Sequence, residues 1–177
     1  MDIALLRGIN VGKGKPLAMA DLQALMAALG FAGARTLLRT GNVVFDGGGR
    51  DPAELEALLE RELKAQLRLE TLVFVRSGRA WAEALAHNPF PEAAVSDPAH
   101  LVVFALKQTP PPADLEALRA AITGPEQVAV WDRHAYAIYP EGIAESKLTP
   151  ALLSRWLTPG AGRNWNTAQK LAAMAKD

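Results

Sequence analysis

The sequence predicts an α+β fold: a first half with the ferredoxin-like split βαβ order, βαββαβ, followed by a related α+β second half that a duplication would explain. Three observations carry this. Short strand-like apolar runs alternate with Leu and Met at helical spacing. Gly, Pro or Asn marks each change. Both halves run strand, helix, hairpin, helix.

In order, Ile3 to Leu6 is a short apolar run, followed by a polar, glycine-bearing loop from Arg7 to Pro16. Leu22, Leu25, Met26 and Leu29 then recur at helical spacing, and Gly30 stands where a helix ends. Thr36 to Arg39 and Val43 to Phe45 flank the turn Thr40-Gly41-Asn42, a hairpin signal. Asp46 to Asp51 is a flexible connection, Pro52 opens a helix through Leu55, Leu58, Leu59 and Leu63, and Leu72 to Val75 is a further strand. In this arrangement strand 3 lies between strands 1 and 2, and both helices share one face. A right-handed crossover makes strands 1 and 2 parallel, so the loop leaving strand 1 and the turn leaving strand 2 emerge at one edge.

The second half gives a helix over Arg79 to Ala86, a break at His87 to Pro91, and a strand over Leu101 to Leu106. A helix bearing Leu115, Leu118 and Ile122 and a hairpin of Val128 to Trp131 with Ala135 to Tyr139 follow. Thr149 as N-cap with Pro150 behind it starts another helix, Thr158-Pro159-Gly160 stops it, and a last helix covers about Thr167 to Ala175. DLQALMAAL in the first half is echoed by DLEALRAAI in the second. The expected domains are 1–78, a ferredoxin-like βαββαβ subdomain, and 79–177, a linking helix with the second α+β subdomain and C-terminal helices.

Composition narrows the function classes. The 177 residues are 50% hydrophobic, with 19 basic residues matched by 19 acidic ones and no cysteine. Such a chain buries a core without disulfides, and a neutral total argues against a surface that attracts nucleic acid or anionic membrane throughout. Thiolate chemistry and cysteine zinc sites are excluded. MDIALLRG lacks the architecture of a secretion signal and no segment approaches the length of a membrane helix, which points to a soluble cytoplasmic protein.

Two segments could carry function. RGINVGKGKP, Arg7 to Pro16, combines Gly8, Gly12, Asn10, Lys13 and Lys15 between a strand and a helix, a composition that lets backbone N–H groups and ammonium charge meet an anion. Its glycine spacing fits neither the Walker loop nor the dinucleotide fingerprint, and a solvated surface loop is the plainer alternative. Over residues 1–50 six basic residues, including Arg35, Arg39 and Arg50, face three acids, whereas over 51–70 six acids face three bases. The predicted turn would add Arg39, Thr40, Gly41 and Asn42 to the loop. The second segment, Ser146 to Leu171, interleaves Ser146, Lys147, Arg163, Asn164, Trp165 and Lys170 in the manner of a site that stacks a planar group and grips an anion. Trp156 belongs to an apolar helical stripe and reads as core.

Catalytic constellations are weak. His87, His100 and His134 are far apart with no metal-binding spacing, and Ser77 and Ser146 lack a nucleophile elbow. No metal or cofactor is expected. The reading is a binder of a phosphorylated small molecule, nucleotide or short nucleic acid, the alternatives being an enzyme acting on a phosphorylated substrate through Thr40 or Ser146, or an adaptor docking through Thr109 to Pro112 or the Trp-bearing tail.

The blocks LLRGINVGKGKPLAMADLQALMAALGF (Leu5 to Phe31), RTLLRTGNVVF (Arg35 to Phe45), NPF (Asn88 to Phe90), SKLTPALLSRWL and RNWNTAQKL closely resemble the bacterial family called domain of unknown function 1697. That family usually shows Ser-Gly-Asn where this chain has Thr40-Gly41-Asn42, which keeps a hydroxyl, and an aromatic near Leu37 or Leu38. The resemblance implies an α+β fold of ferredoxin-like character and no known activity. Its blocks coincide with the two basic segments.

Overall fold

The structure, a computed structural model, describes residues 1–10 and 16–176. It is a mixed α+β fold with, among the described residues, two four-stranded antiparallel sheets and seven helices. The chain divides into two compact units, Met1–Ala82 with Lys170–Asp177, and Glu83–Gln169.

The first unit contains β1 (Asp2–Leu6), α1 (Met19–Ala28), β2 (Arg35–Leu37), β3 (Asn42–Phe45), α2 (Pro52–Leu67) and β4 (Val73–Ser77). Its strand order is β2-β3-β1-β4, so the third strand lies between the first and second as the sequence predicts. Strand alternation turns Ala4, Leu6, Val43, Phe45, Val73 and Val75 toward Leu22, Leu25 and Met26 of α1 and Leu55, Leu59 and Leu63 of α2. Burying each large aliphatic side chain contributes roughly 1.5–3 kcal/mol, so this layer dominates the unit's stability. The opposite face, with Ile3, Leu5, Val44 and Phe74, is buried as completely. Gly30 follows α1 at φ +88°, as a helix C-terminus favours. Asp51 accepts the Ala53 N–H at 2.8 Å and caps α2 ahead of Pro52.

Solvation is not the whole role of the acidic helix. β4 is an edge strand, and α2 satisfies its outward N–H groups: Glu56 accepts from Val75 at 2.8 Å and Glu60 from Val73 at 2.9 Å. One turn apart, these carboxylates occupy donors that would otherwise template another chain. Arg76 is 1% exposed, donates Nη1 to the Val75 carbonyl at 2.7 Å, and lies 3.5 Å from Glu56.

In the second unit and at its borders stand α3 (Gly78–Ala86), α4 (Pro91–Ser96), β5 (Leu101–Leu106), α5 (Pro112–Ala121), β6 (Gln127–Trp131), β7 (His134–Ile138), α6 (Pro150–Leu157), β8 (Gly160–Asn164) and α7 (Trp165–Met174). The sheet order is β6-β7-β5-β8, which repeats that of the first unit strand for strand. Thr149 caps α6 by accepting the Leu152 N–H at 3.2 Å, with Pro150 next, as expected. The short α4, between the break at His87 to Pro91 and β5, was not expected. Nor was β8, because GAGRN has little strand propensity. Its glycines make room for β5 instead: a Cβ on Gly162 would stand 2.4 Å from Phe104 Cε1, and one on Gly160 2.7 Å from Leu106 Cδ2. α7 consequently starts at Trp165, with Asn164 accepting the Thr167 N–H at 3.0 Å.

The halves match in detail, as a duplication requires. The Leu6 N–H donates to the Gly41 carbonyl at 2.8 Å and the Leu106 N–H to the Arg133 carbonyl at 2.9 Å. Arg76 pairs opposite Ile3 and Arg163 opposite Val103, and each donates Nη1 to the carbonyl preceding it. DLQALMAAL and DLEALRAAI fall on α1 and α5, the helices that follow the first strand of each unit. No helix among the described residues is long and apolar enough to cross a membrane.

Candidate anion-binding site

The loop after β1 and the turn after β2 meet at one end of the first sheet. At Gly41, φ is +73° and a Cβ would lie 2.8 Å from the Cβ of Leu6, so only glycine lets the turn approach β1 this closely. Arg7 anchors the other side: its N–H donates to the Leu72 carbonyl at 2.9 Å and its carbonyl accepts the Thr71 hydroxyl at 2.7 Å. Gly8 and Asn10 then take positive φ, +63° and +57°.

Asn10 closes the neck of the loop. Its Oδ1 accepts the Leu17 N–H at 2.7 Å, and its Nδ2 donates to the Leu17 carbonyl at 3.1 Å and to the Arg39 carbonyl. One carboxamide therefore joins both ends of the loop to the hairpin turn. Asn42 does similar work inside the turn: fully buried, it donates to the Leu37 carbonyl at 2.8 Å and to Thr40 Oγ1 at 2.9 Å. Both asparagines, expected to touch a ligand, give these groups to the chain itself. Arg39 and Thr40 are exposed at the turn. Gly12, Lys13 and Lys15 lie outside the described residues. Arg35 and Arg50 are not part of this end: Arg35 donates to the Met174 carbonyl at 2.6 Å, and Arg50 lies 5.2 Å from the centre of the Phe31 ring.

Arg7 and Gly8 open onto a cavity of about 700 Å³ against α2, where Arg61 and Lys64 face Glu60 and Glu70. Lys64 is paired with Glu70 at 3.1 Å, so charges here are mixed rather than uniformly positive.

The candidates from the C-terminal segment are placed differently. Ser146 donates its hydroxyl to Glu126 and accepts the Leu148 N–H at 2.9 Å, while the Lys147 N–H donates to Glu126 at 3.1 Å. The Ser146 hydroxyl, ahead of the backbone donors, holds the Glu126 carboxyl below its ordinary value. Lys147 itself is exposed. Arg163 is buried, and burial pushes its guanidinium down to about 10. Trp165 is 6% exposed, which makes it a core ring rather than a stacking platform, and Asn164 is the cap of α7. Ser146, Lys147, Arg163, Asn164 and Trp165 belong to the second unit, and exposed Lys170 to the first. Sequence reasoning missed Glu56, Glu60 and Arg76; a charged residue within the apolar strand VFVRS was the available signal. Among the described residues no group of three or more His, Asp or Glu could hold a metal ion.

The second unit supplies an internal comparison. Its first strand leads to its first helix through residues 107–111, against 7–18 in the first unit, and its hairpin turn is 132–133, against 38–41. There Thr109 donates to Asp132 at 3.2 Å, so the turn corresponding to 38–41 is an acid followed by a base, Asp132-Arg133. Both elaborations of the first unit fall at the same sheet end and are bonded to each other through Asn10.

A family model described as protein of unknown function (DUF1697) matches residues 1–136. The chain belongs to the DUF1697 family. A solved structure of similar fold is that of the conserved bacterial protein SP0830 from Streptococcus pneumoniae, at 20% identity and a TM-score of 0.77, covering 99% of this chain and 98% of that one. No curated protein matches the chain. The DUF1697 match takes in the whole loop and turn, whereas Ser146 to Leu171 lies beyond it.

Proposed function

We propose that this DUF1697 protein binds a phosphorylated ligand at the end of the first sheet, between the 7–16 loop and the 38–41 turn, with Lys13, Lys15 and Arg39 supplying charge and the backbone around Gly8 and Gly41 supplying close approach. The single observation that carries this is the Asn10 carboxamide, which bonds both Leu17 and the Arg39 carbonyl and so supports bringing the 7–16 loop, with its lysines, to the hairpin turn. The second half supports it by contrast: the equivalent loop is shorter and the equivalent turn sets an acid, Asp132, beside Arg133.

The same reading takes each unit as a ferredoxin-like split βαβ module, supported by the shared strand order, and sets the protein in the cytoplasm. Asn42, Ser146, Arg163, Asn164 and Trp165 serve packing, turns and caps in it, while Lys147 of the second unit and Lys170 of the first are exposed.

Titration with inorganic phosphate or pyrophosphate, followed by amide NMR shifts, tests the proposal. The expected shifts centre on Gly8, Arg39, Thr40 and Gly41. Shifts confined to the second unit, or none at millimolar phosphate, would remove it.

A further inference from the structure

We propose that the second unit binds a small organic amine in the cavity between Pro89-Phe90 and β6, with the Glu126 carboxylate accepting its ammonium. This site is independent of the loop and turn in the first unit. The cavity has a volume of about 580 Å³, within the range of small-molecule sites. Pro89, Phe90, Ile122 and Val128 give it a largely apolar lining, in which Glu126 is the one acid among the described residues. The Asn88 carboxamide fixes the Phe90 side: it accepts the Phe90 N–H at 3.0 Å and donates to the Phe90 carbonyl at 3.1 Å.

Glu126 is the residue that points to a cation. It is 9% exposed, and its Oε1 accepts the Ser146 hydroxyl and the Lys147 N–H. Its Oε2 is buried and has no hydrogen-bond partner among the described residues. The donors that hold the carboxyl below its ordinary value, the Ser146 hydroxyl first and backbone N–H groups after it, are all neutral. A buried carboxylate in this state is completed by a cationic N–H donor, which brings charge and hydrogen bond together. Arg119, also on the lining, does not fill that role: it donates Nε to the Val128 carbonyl at 3.1 Å and Nη1 to Glu116 at 2.8 Å. Gly124 leaves the carboxylate its room, since a Cβ there would collide with Oε2. A hard metal ion needs several oxygen ligands, whereas one carboxylate in an apolar cavity matches an ammonium on an apolar body.

Amide NMR titration with phenethylamine, phenethyl alcohol and phenylacetate tests this, because the three share an apolar body and differ in the polar end.

The amine should bind at least ten-fold tighter than the other two, with shifts centred on Phe90, Gly124, Gln127 and Ala129 of the lining. Glu126→Gln keeps an acceptor and removes the charge, and should bring the amine to the affinity of the alcohol. Gly124→Ala crowds Oε2 and keeps the charge; it should weaken amine binding at least ten-fold while leaving the alcohol unchanged, and it decides the matter should Glu126→Gln not fold. Equal affinities for the three compounds, tighter binding of phenylacetate, or shifts centred elsewhere would each overturn the proposal. So would amine binding that both substitutions leave as it was.

Discussion

Asn10 and Arg39 stand 29 residues apart in the chain and are joined by one hydrogen bond, from the Asn10 carboxamide to the Arg39 carbonyl. The same carboxamide makes two further bonds to Leu17, so the neck of the loop and the hairpin turn form one unit.

Replacing Asn10 should therefore loosen the site more than it loosens the protein. Asn10→Ala removes three bonds and puts alanine at φ +57°, for an expected loss of about 2 kcal/mol. Asn10→Gly relieves the backbone strain and should recover only part of that. Denaturant unfolding of both variants, with hydrogen exchange at the Leu17 amide, checks this: exchange at Leu17 should accelerate in both.

Gly41 should tolerate a methyl group far less than Gly30 does. Both have positive φ, but a Cβ at Gly41 meets Leu6 Cβ at 2.8 Å and Ile9 Cγ1 at 3.0 Å, whereas Gly30 has nothing within 4 Å. Gly30→Ala should cost about 1 kcal/mol and Gly41→Ala about 2–4 kcal/mol, because overpacking adds to the strain. Thermal melts should show a drop in Tm at least twice as large for Gly41→Ala.

Much of this arrangement was readable from residues alone, and the misses are instructive. The handedness of strand crossovers was enough to bring the loop and the turn to one sheet end, and short apolar runs with turn residues between them were enough to find β1 to β7. β8 escaped because its glycines answer to Phe104 and Leu106 on the neighbouring strand, not to any local preference. Trp165 sits between Asn164 and Asn166, polar neighbours that suggested exposure, yet the junction of β8 and α7 turns the ring inward. Asn10 and Asn42 illustrate a further limit: an amide in a loop looks the same in sequence whether it binds a ligand or its own chain.

Glu56 should matter to both stability and solubility. Glu56→Ala strips the Val75 N–H of its acceptor and takes the carboxylate away from the buried Arg76 guanidinium, for an expected loss of roughly 3 kcal/mol. Glu56→Gln keeps an acceptor for the N–H and should lose less. Because β4 is an edge, sedimentation of Glu56→Ala should reveal self-association that the Gln variant lacks.

Glu126 gives a pH dependence of defined sign. Its carboxyl is held below 4.5 in the folded protein, first by the Ser146 hydroxyl, so its contribution is present above the unfolded value and fades as pH falls through the lowered one. Ser146→Ala should lower Tm at pH 7, and the difference from the unmodified chain should shrink below about pH 4 as the carboxyl protonates in both states. A difference that grows on acidification would reverse the assignment.

The most direct measurement is the affinity for inorganic phosphate, at low and high salt, of the unmodified chain and of the double variant Lys13→Glu, Lys15→Glu. Binding by the unmodified chain should weaken as salt rises, and the double variant should lose at least ten-fold while keeping its thermal stability. Phosphate binding that the two charge reversals leave untouched would contradict the account.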